Sequence, residues 1–440
     1  MLYIKNGTLM DPKTGREEIS DLLTKEGKII RIGKELEKEA FFQKLPKQDL
    51  ITIDAEGYIV APGLVDIHSH FRDPGFTQKE DIFTGAASAL RGGYTSVVLM
   101  ANTNPPVDNS ETLRYIVEKG KKTKLHLYTC ATVTKEMKGQ ELTDMKNLKA
   151  QGAVGFTDDG KPILEEKLLQ EAMIRCAELD VPISLHEEDP SYIKQNGINA
   201  GEVAKMLQLE GSDRMAEISL VKRDLEIALN TGASLNIQHI STKEAVELVR
   251  EAKKRGNNIH AEATPHHFSL TEDAVRKYGT LAKVNPPLRT EEDRLAIIQG
   301  LADGTIDVIA TDHAPHTAAE KSADLVKAPS GMIGLETALA LGITELVEKK
   351  YLSMMELLRK MTWNPAQMYH LDAGYLAEKG PADLVIFDPD SVQHFFQFAS
   401  KSSNTPFAGK RCKSEIEYTI SEGNIAYIKM AGLQEMTQED

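Results

Sequence analysis

The sequence predicts an α/β fold, a closed (β/α)8 barrel of the TIM type that carries a small β-sandwich domain formed by both chain ends. Three observations lead there. Both ends of the chain read as short alternating runs joined by tight turns, whereas the middle alternates β-branched runs with longer amphipathic stretches. The middle counts out as eight strand-helix units, more than an open sheet needs. Polar side chains that bind metals stand where the apolar runs stop, as they would at the mouth of a barrel.

The first element is β-rich: LYIKNGTLM, then DLLTKEGKIIRIG around a Glu-Gly turn, then ITIDAEGYIVAPG. The same texture returns in ADLVIFDPD and in EYTISEGNIAYIKM, which turns at Glu-Gly-Asn. Because chain ends often lie together, residues 1–60 and 372–440 are expected to form one discontinuous β domain, leaving 61–371 as the barrel. The polar tail LQEMTQED is expected to fray.

In the middle, the expected strands are GLVDIH, TSVVLM, LHLYTC, AVGF, PISLH, SLNIQH, NIHAEA and DVIAT, of which AVGF is the least distinct. Helical patterns such as KEDIFTGAASALRGG, EEKLLQEAMIRCAEL, TKEAVELVREAKKRG and EEDRLAIIQGLADG separate most of them, and several stop at glycine. No repeat of solenoid type or low-complexity segment interrupts the pattern.

Composition narrows the function. With 41% hydrophobic and 27% charged residues the chain can bury a sizeable core. A formal charge of -14 would repel a phosphate backbone, so nucleic acid is not an expected partner. An anionic small molecule would need local Arg and metal charge to be held. Cys130, Cys176 and Cys412, an odd and widely spaced set, argue against a disulfide framework or a thiolate cluster. The first residues carry no basic-then-apolar leader and no stretch reaches the ~18 apolar residues of a membrane span, so a cytoplasmic chain without a membrane partner is expected.

The strand ends carry the chemistry: His68-Ser69-His70, Asp158-Asp159, His186, His239 and Asp312-His313. His68 and His70 are two apart on a strand, so both imidazoles share a face and can grip one ion. Four His and one or two Asp exceed what a single open tetrahedral site needs and suit a pair of cations. Nitrogen and oxygen donors favour zinc, with manganese or cobalt as alternatives. Asp312 could touch a metal and also shuttle a proton, or simply cap a helix.

In this order, HSHFRDPG, ANTNPP, GFTDDG, LHEED, QHIST, AEATPHH, KVNPPLR and ATDHAPH resemble the type I bacterial dihydroorotases of the amidohydrolase superfamily, and the likeness extends to NTPFAGK. The resemblance implies two Zn2+ per chain, with His68 and His70 on the first and His186 and His239 on the second. It implies Asp159 as their bridge, although Asp158 is an open alternative, and Asp312 as a ligand of the first ion that serves as base and acid. It further implies that His70, Arg72, Asn102, Asn285, His316, Ser330 and Gly331 meet the substrate. APSGMIG departs from the family's usual APFG form, which weakens Ser330 and Gly331 as contacts. His266 and His267 match the family without being its ligands; His126, His260 and His370 read as structural.

The activity so implied is reversible hydrolysis of dihydroorotate to N-carbamoyl-aspartate, by a homodimer or a complex with another pyrimidine-synthesis enzyme. Hydantoinase or allantoinase chemistry is the nearest rival, but those relatives usually bridge their metals with a carboxylated lysine where GFTDDG offers Asp. A non-catalytic structural partner is the reading from another class; such relatives lose ligands, and here every expected one is present. The long segment HAPHTAAEKSADLVKAPSG is expected to cover the bound ring.

Overall fold

A computed structural model describes residues 1–429; the tail LQEMTQED lies outside the described residues. The strands in chain order are β1 (Leu2–Asp11), β2 (Arg16–Lys25), β3 (Lys28–Gly33), β4 (Ile51–Asp54) and β5 (Ile59–Pro62). Then come β6 (Leu64–Ser69), β7 (Tyr94–Leu99), β8 (His126–Thr129), β9 (Ile183–Leu185), β10 (Leu235–Ile237), β11 (Ile259–Ala263) and β12 (Val308–Ile309). Last are β13 (Leu384–His394), β14 (Arg411–Ser421) and β15 (Asn424–Ile428).

The two chain ends join in a single sheet ordered β15-β14-β13-β5-β1-β2-β3, with β4 beside β1. The junction is the antiparallel pair β5–β13, in which Leu384 faces Pro62 and Phe387 faces Ile59. This sheet has its own apolar core of Leu2, Ile4, Leu22, Val60, Leu384 and Ile386.

Between the ends, β6, β7 and β8 pair in parallel, and so do β9, β10, β11 and β12. Parallel bridges link the two sets at both ends: Phe156 pairs with Ala131 and with Ile183, and Ser69 pairs with His313. AVGF therefore contributes one paired residue where the sequence suggested a strand. The β6 and β7 residues are buried throughout, as strands covered on both faces must be.

Helices follow the strands because their ends are written locally. Asp81 and Thr84 form a capping box at the start of Ile82–Arg91, and Thr290 and Asp293 do the same for Glu291–Asp303. The latter ends at Gly304, whose φ of 82° is a left-handed stop that glycine adopts without cost from a Cβ. Val65, Ile67, Val98, Met100 and Val308 fill the centre with Met368, Tyr369 and Leu371 packed against them. That apolar plug leaves the opposite, C-terminal strand ends free for polar side chains.

Candidate active site

His68 is the last but one residue of β6 and His70 follows its end; both are buried. Asp159 follows the Phe156 bridge, His186 follows β9, His239 lies two residues past β10 and Asp312 lies beyond β12. Six residues from five separate segments thus meet at one end of the parallel strands. Two groups of three share Asp159: His68, His70 and Asp159, and Asp159, His186 and His239.

The separations suit a metal site, although His186 Nδ1 and His239 Nε2 also lie 2.9 Å apart. Asp159 Oδ1 lies 3.5 Å from His68 Nε2 and 3.7 Å from His186 Nδ1, and its Oδ2 lies 3.6 Å from His70 Nε2. Asp312 Oδ1 lies 3.1 Å from His70 Nε2 and 3.5 Å from His68 Nε2. Most of these are too long for good hydrogen bonds. A tetrahedral ion with bonds of about 2.0–2.1 Å spaces its ligand atoms roughly 3.4 Å apart, which is the spacing here. His68 Nε2, fully buried, has no hydrogen-bond partner. The donor set therefore fits cations at both groups.

The outward nitrogens are held as metal-binding imidazoles require. His68 Nδ1 meets Glu262 in a short contact, His186 Nε2 lies 3.0 Å from Glu188 Oε2, and His70 Nδ1 lies 3.0 Å from Asn102 Oδ1. Asn236 Nδ2 donates to Glu262 at 3.0 Å and the His239 backbone N–H donates at 3.2 Å. Asp66 accepts from Thr311 N–H at 2.9 Å, from its hydroxyl at 2.6 Å and from Ser69 Oγ at 3.0 Å, tying β6 to the Asp312 segment. Glu262, Glu188 and Asp66 were not singled out from the sequence. For Asp66 and Glu262 the one signal is a carboxylate inside a mostly apolar, buried run; Glu188, in His186-Glu187-Glu188-Asp189, has not even that.

Protonation across the cluster is divided. Burial works against charge on His186, yet Asp159 and Glu188 hold its pKa up at about 10. Burial, joined by the charges of His186 and His68, pushes His239 well down. Burial would raise Asp159, but bonds from His186 and His68 outweigh it and hold the carboxyl well below the usual range. The same balance, driven by His68 and His70, lowers Asp312.

Asp158 and Asp159 point apart. Asp158 Oδ1 accepts the N–H groups of Val133 at 2.8 Å and Thr134 at 3.1 Å, and its Oδ2 takes the Thr134 hydroxyl, so it fastens a loop away from the cluster. Burial pushes its pKa up to about 6 despite those bonds. His313 also turns away: its Nδ1 accepts from Gly334 N–H at 3.2 Å and its Nε2 lies 3.4 Å from Glu80. It is a structural residue and not one of the strand-end ligands. His267 is tied to Thr264 and the Pro286 carbonyl, and His126 faces Asp383, both outside the cluster.

Above the cluster lies a cavity of about 200 Å3 lined by His70, Arg72, Asn102, Asp159, His186, His239, Asn285, Asp312, His316, Ser330 and Gly331, among others. Arg72 Nε donates to the Pro315 carbonyl at 3.3 Å, and among the described residues no carboxylate lies within ion-pair distance of its guanidinium. Asn285 Oδ1 and Ser330 Oγ are buried without partners. Asn102 has both ends of its amide engaged, Nδ2 donating to Asp159 Oδ2 at 2.8 Å, so it orients His70 and Asp159. His316 sits 2.9 Å from the Ser330 carbonyl, and burial with the charges of Arg72 and Lys79 brings its pKa down to about 3. Arg72, His239 and Asp312 have φ of 59°, 31° and 46°, left-handed backbone that non-glycine residues adopt seldom.

An α/β scaffold that gathers His, Asp and an unpaired Arg at its parallel strand ends defines a metal-dependent hydrolase site. The chain belongs to the Amidohydrolase family, whose profile matches residues 59–426. Its relatives include a dihydroorotase of Clostridioides difficile, 53% identical over 97% of this chain and 100% of that protein. A dihydroorotase of Clostridium acetobutylicum is 52% identical over 97% and 99%. The solved L-hydantoinase (dihydropyrimidinase) of Arthrobacter aurescens superposes with a TM-score of 0.85 at 25% identity, covering 98% of this chain and 97% of that one.

Proposed function

We propose that this chain is a dihydroorotase, a cyclic-amide hydrolase that interconverts (S)-dihydroorotate and N-carbamoyl-L-aspartate in pyrimidine biosynthesis. The observation that carries the reading is a carboxylate, Asp159, set between two histidine pairs at the floor of a cavity whose wall holds the unpaired Arg72. The dihydroorotase relatives support the substrate.

The donors suit two zinc ions per chain: His68 and His70, with Asp312 beside them, would hold one, His186 and His239 the other, and Asp159, common to both groups, would serve both. Bound there, the ions would lower the pKa of water and polarise the amide carbonyl. Asp312, at the cavity floor, takes the proton of the attacking water and returns it to the leaving ring nitrogen. Arg72 grips the substrate carboxylate through its free N–H groups. Asn285 and Ser330 offer their unpartnered oxygens to the ring, His70, Asn102 and His316 shape its seat, and Gly331 lets the backbone approach.

The parallel pairings that return to β6 are read as a closed (β/α)8 barrel over 61–371, and the joined ends, 1–60 and 372 to the last described residue, 429, as a β-sandwich domain with its own core; the remainder of 372–440 lies outside the described residues. Three buried, unpaired cysteines suit a cytoplasmic enzyme. Among the described residues no helix is long and apolar enough to cross a membrane. A homodimer, or a complex with another pyrimidine-synthesis enzyme, is the assembly we propose.

The hydantoinase reading draws on shared fold. Against it stands the bridge position, where Asp159 brings its own carboxylate and the nearby Lys161 is exposed. Metal-stripped protein should recover full activity on adding zinc in bicarbonate-free buffer and bind two zinc per chain. Strict bicarbonate dependence would contradict the bridge.

A further inference from the structure

Two lysines beside the cavity are buried without carboxylate partners. Lys283 and Lys321 are 2% and 5% exposed, and among the described residues neither lies within ion-pair distance of an acid. Lys283 Nζ donates to the carbonyls of Val326 at 3.0 Å and Ala328 at 2.7 Å. Lys321 Nζ donates to those of Pro329 at 2.9 Å and Gly331 at 3.0 Å. Four carbonyls of one six-residue segment thus converge on two ammonium groups. Burying two like charges side by side is costly; the four carbonyl dipoles offset it at contact distance, with Asp324 and Glu320 acting from further off. Burial and the neighbouring Lys283 bring Lys321 down to about 7.

We propose that Lys321, with Lys283, is a built-in clamp that turns residues 326–331 into a fixed wall of the substrate cavity, which makes Lys321 a positioning residue. The segment so held carries Ser330 and Gly331 on the cavity lining. The fastening is completed by Gly331 N–H, which donates to the Lys283 carbonyl at 2.8 Å, and by Asn404 Nδ2, which donates to the Gly331 carbonyl at 3.1 Å. The opposite side leaves no slack: a Cβ on Gly197 would stand 2.4 Å from Ser330 Oγ, 2.8 Å from Lys283 Cγ and 3.0 Å from Asn285 Oδ1. A loop that long would otherwise be a mobile cover. Here its last third is a wall.

The inference rests on the cavity being the dihydroorotate site, so it is tested by one readout that needs turnover and one that does not. In zinc-loaded Lys321→Met, KM for dihydroorotate should rise about tenfold, kcat should stay within about threefold and metal content should be unchanged. Exchange of the Ala328 and Gly331 amides should quicken at least about tenfold while β11 amides keep their rates. Lys283→Met should reproduce both effects and stands in if the first variant does not fold. In the wild-type protein these two amides must be protected as well as the interior of helix Glu291–Asp303; exchange within seconds overturns the clamp whatever the variants do. Unchanged KM and exchange in a folded variant overturn it too, as does loss of kcat together with metal. If wild type ignores dihydroorotate, the functional reading fails while the exchange data still decide the clamp.

Discussion

Asp158 and Asp159 differ by one position and by everything their carboxylates touch. Replacing Asp159 by Ala should abolish metal binding and activity together, because two cations would then face each other without an intervening charge. Asp158→Ala should keep both metals and lose about 1–3 kcal/mol of stability, since the Val133 and Thr134 N–H groups are left without their acceptor. Metal analysis beside a denaturant titration separates the two. Glu262→Gln keeps shape but removes the charge behind His68, and zinc affinity should fall about 10–100-fold. Arg72→Met should lower kcat/KM for dihydroorotate about tenfold or more with metal intact, the loss of roughly 1.5–3 kcal/mol expected of a charge-assisted bond. The cluster of His and Asp was legible because such residues at strand ends are conspicuous. Glu262, Glu188 and Asp66 were not, because a carboxylate that holds an imidazole from behind has no spacing rule of its own. Which Asp faces inward was open from spacing alone and was suggested as Asp159 only by the family resemblance, since the turn after Phe156 decides it.

At the scale of elements, strand and helix cores followed periodicity closely: TSVVLM is β7 but for its edges, and TKEAVELVREAKKRG contains the helix Lys243–Lys253. AVGF is reduced to the Phe156 bridge, although backbone bonds run on past it: Val154 N–H donates to the Thr129 carbonyl at 3.1 Å, and Thr157 N–H to the Ala131 carbonyl at 2.9 Å. The helix Ile82–Arg91 packs Gly85 on Phe71, where an added Cβ would lie 2.6 Å from the buried ring. Phe71 separates His70 from Arg72, so the packing is transmitted to the site. Gly85→Ala should cost about 1–3 kcal/mol by overpacking and should raise KM more than it changes metal content. Unchanged thermal stability would show that the ring yields freely.

The whole molecule joins its parallel strands to the sheet of chain ends through β8 and the residue before β13: His126 Nε2 lies 3.0 Å from Asp383 Oδ2, an ion pair by distance without the alignment of a full hydrogen bond. Asp383 raises the His126 pKa above its ordinary value against the opposing pull of burial. The charged form therefore favours the folded state: its contribution is complete below about pH 6.5 and fades as pH rises through the raised folded value, up to about 1 kcal/mol. His126→Gln should remove that slope between pH 6 and 9 in thermal unfolding. The pairing of the ends could be inferred from their shared texture; this contact could not, since neither residue sits in a motif. The central claim, that the cavity selects a cyclic amide bearing a carboxylate, is tested most directly by kcat/KM of the zinc-loaded protein for dihydroorotate, hydantoin and allantoin at matched concentration. Dihydroorotate should lead by about a hundredfold or more, because only it supplies the charge that Arg72 lacks; equal or better turnover of hydantoin or allantoin would contradict the account.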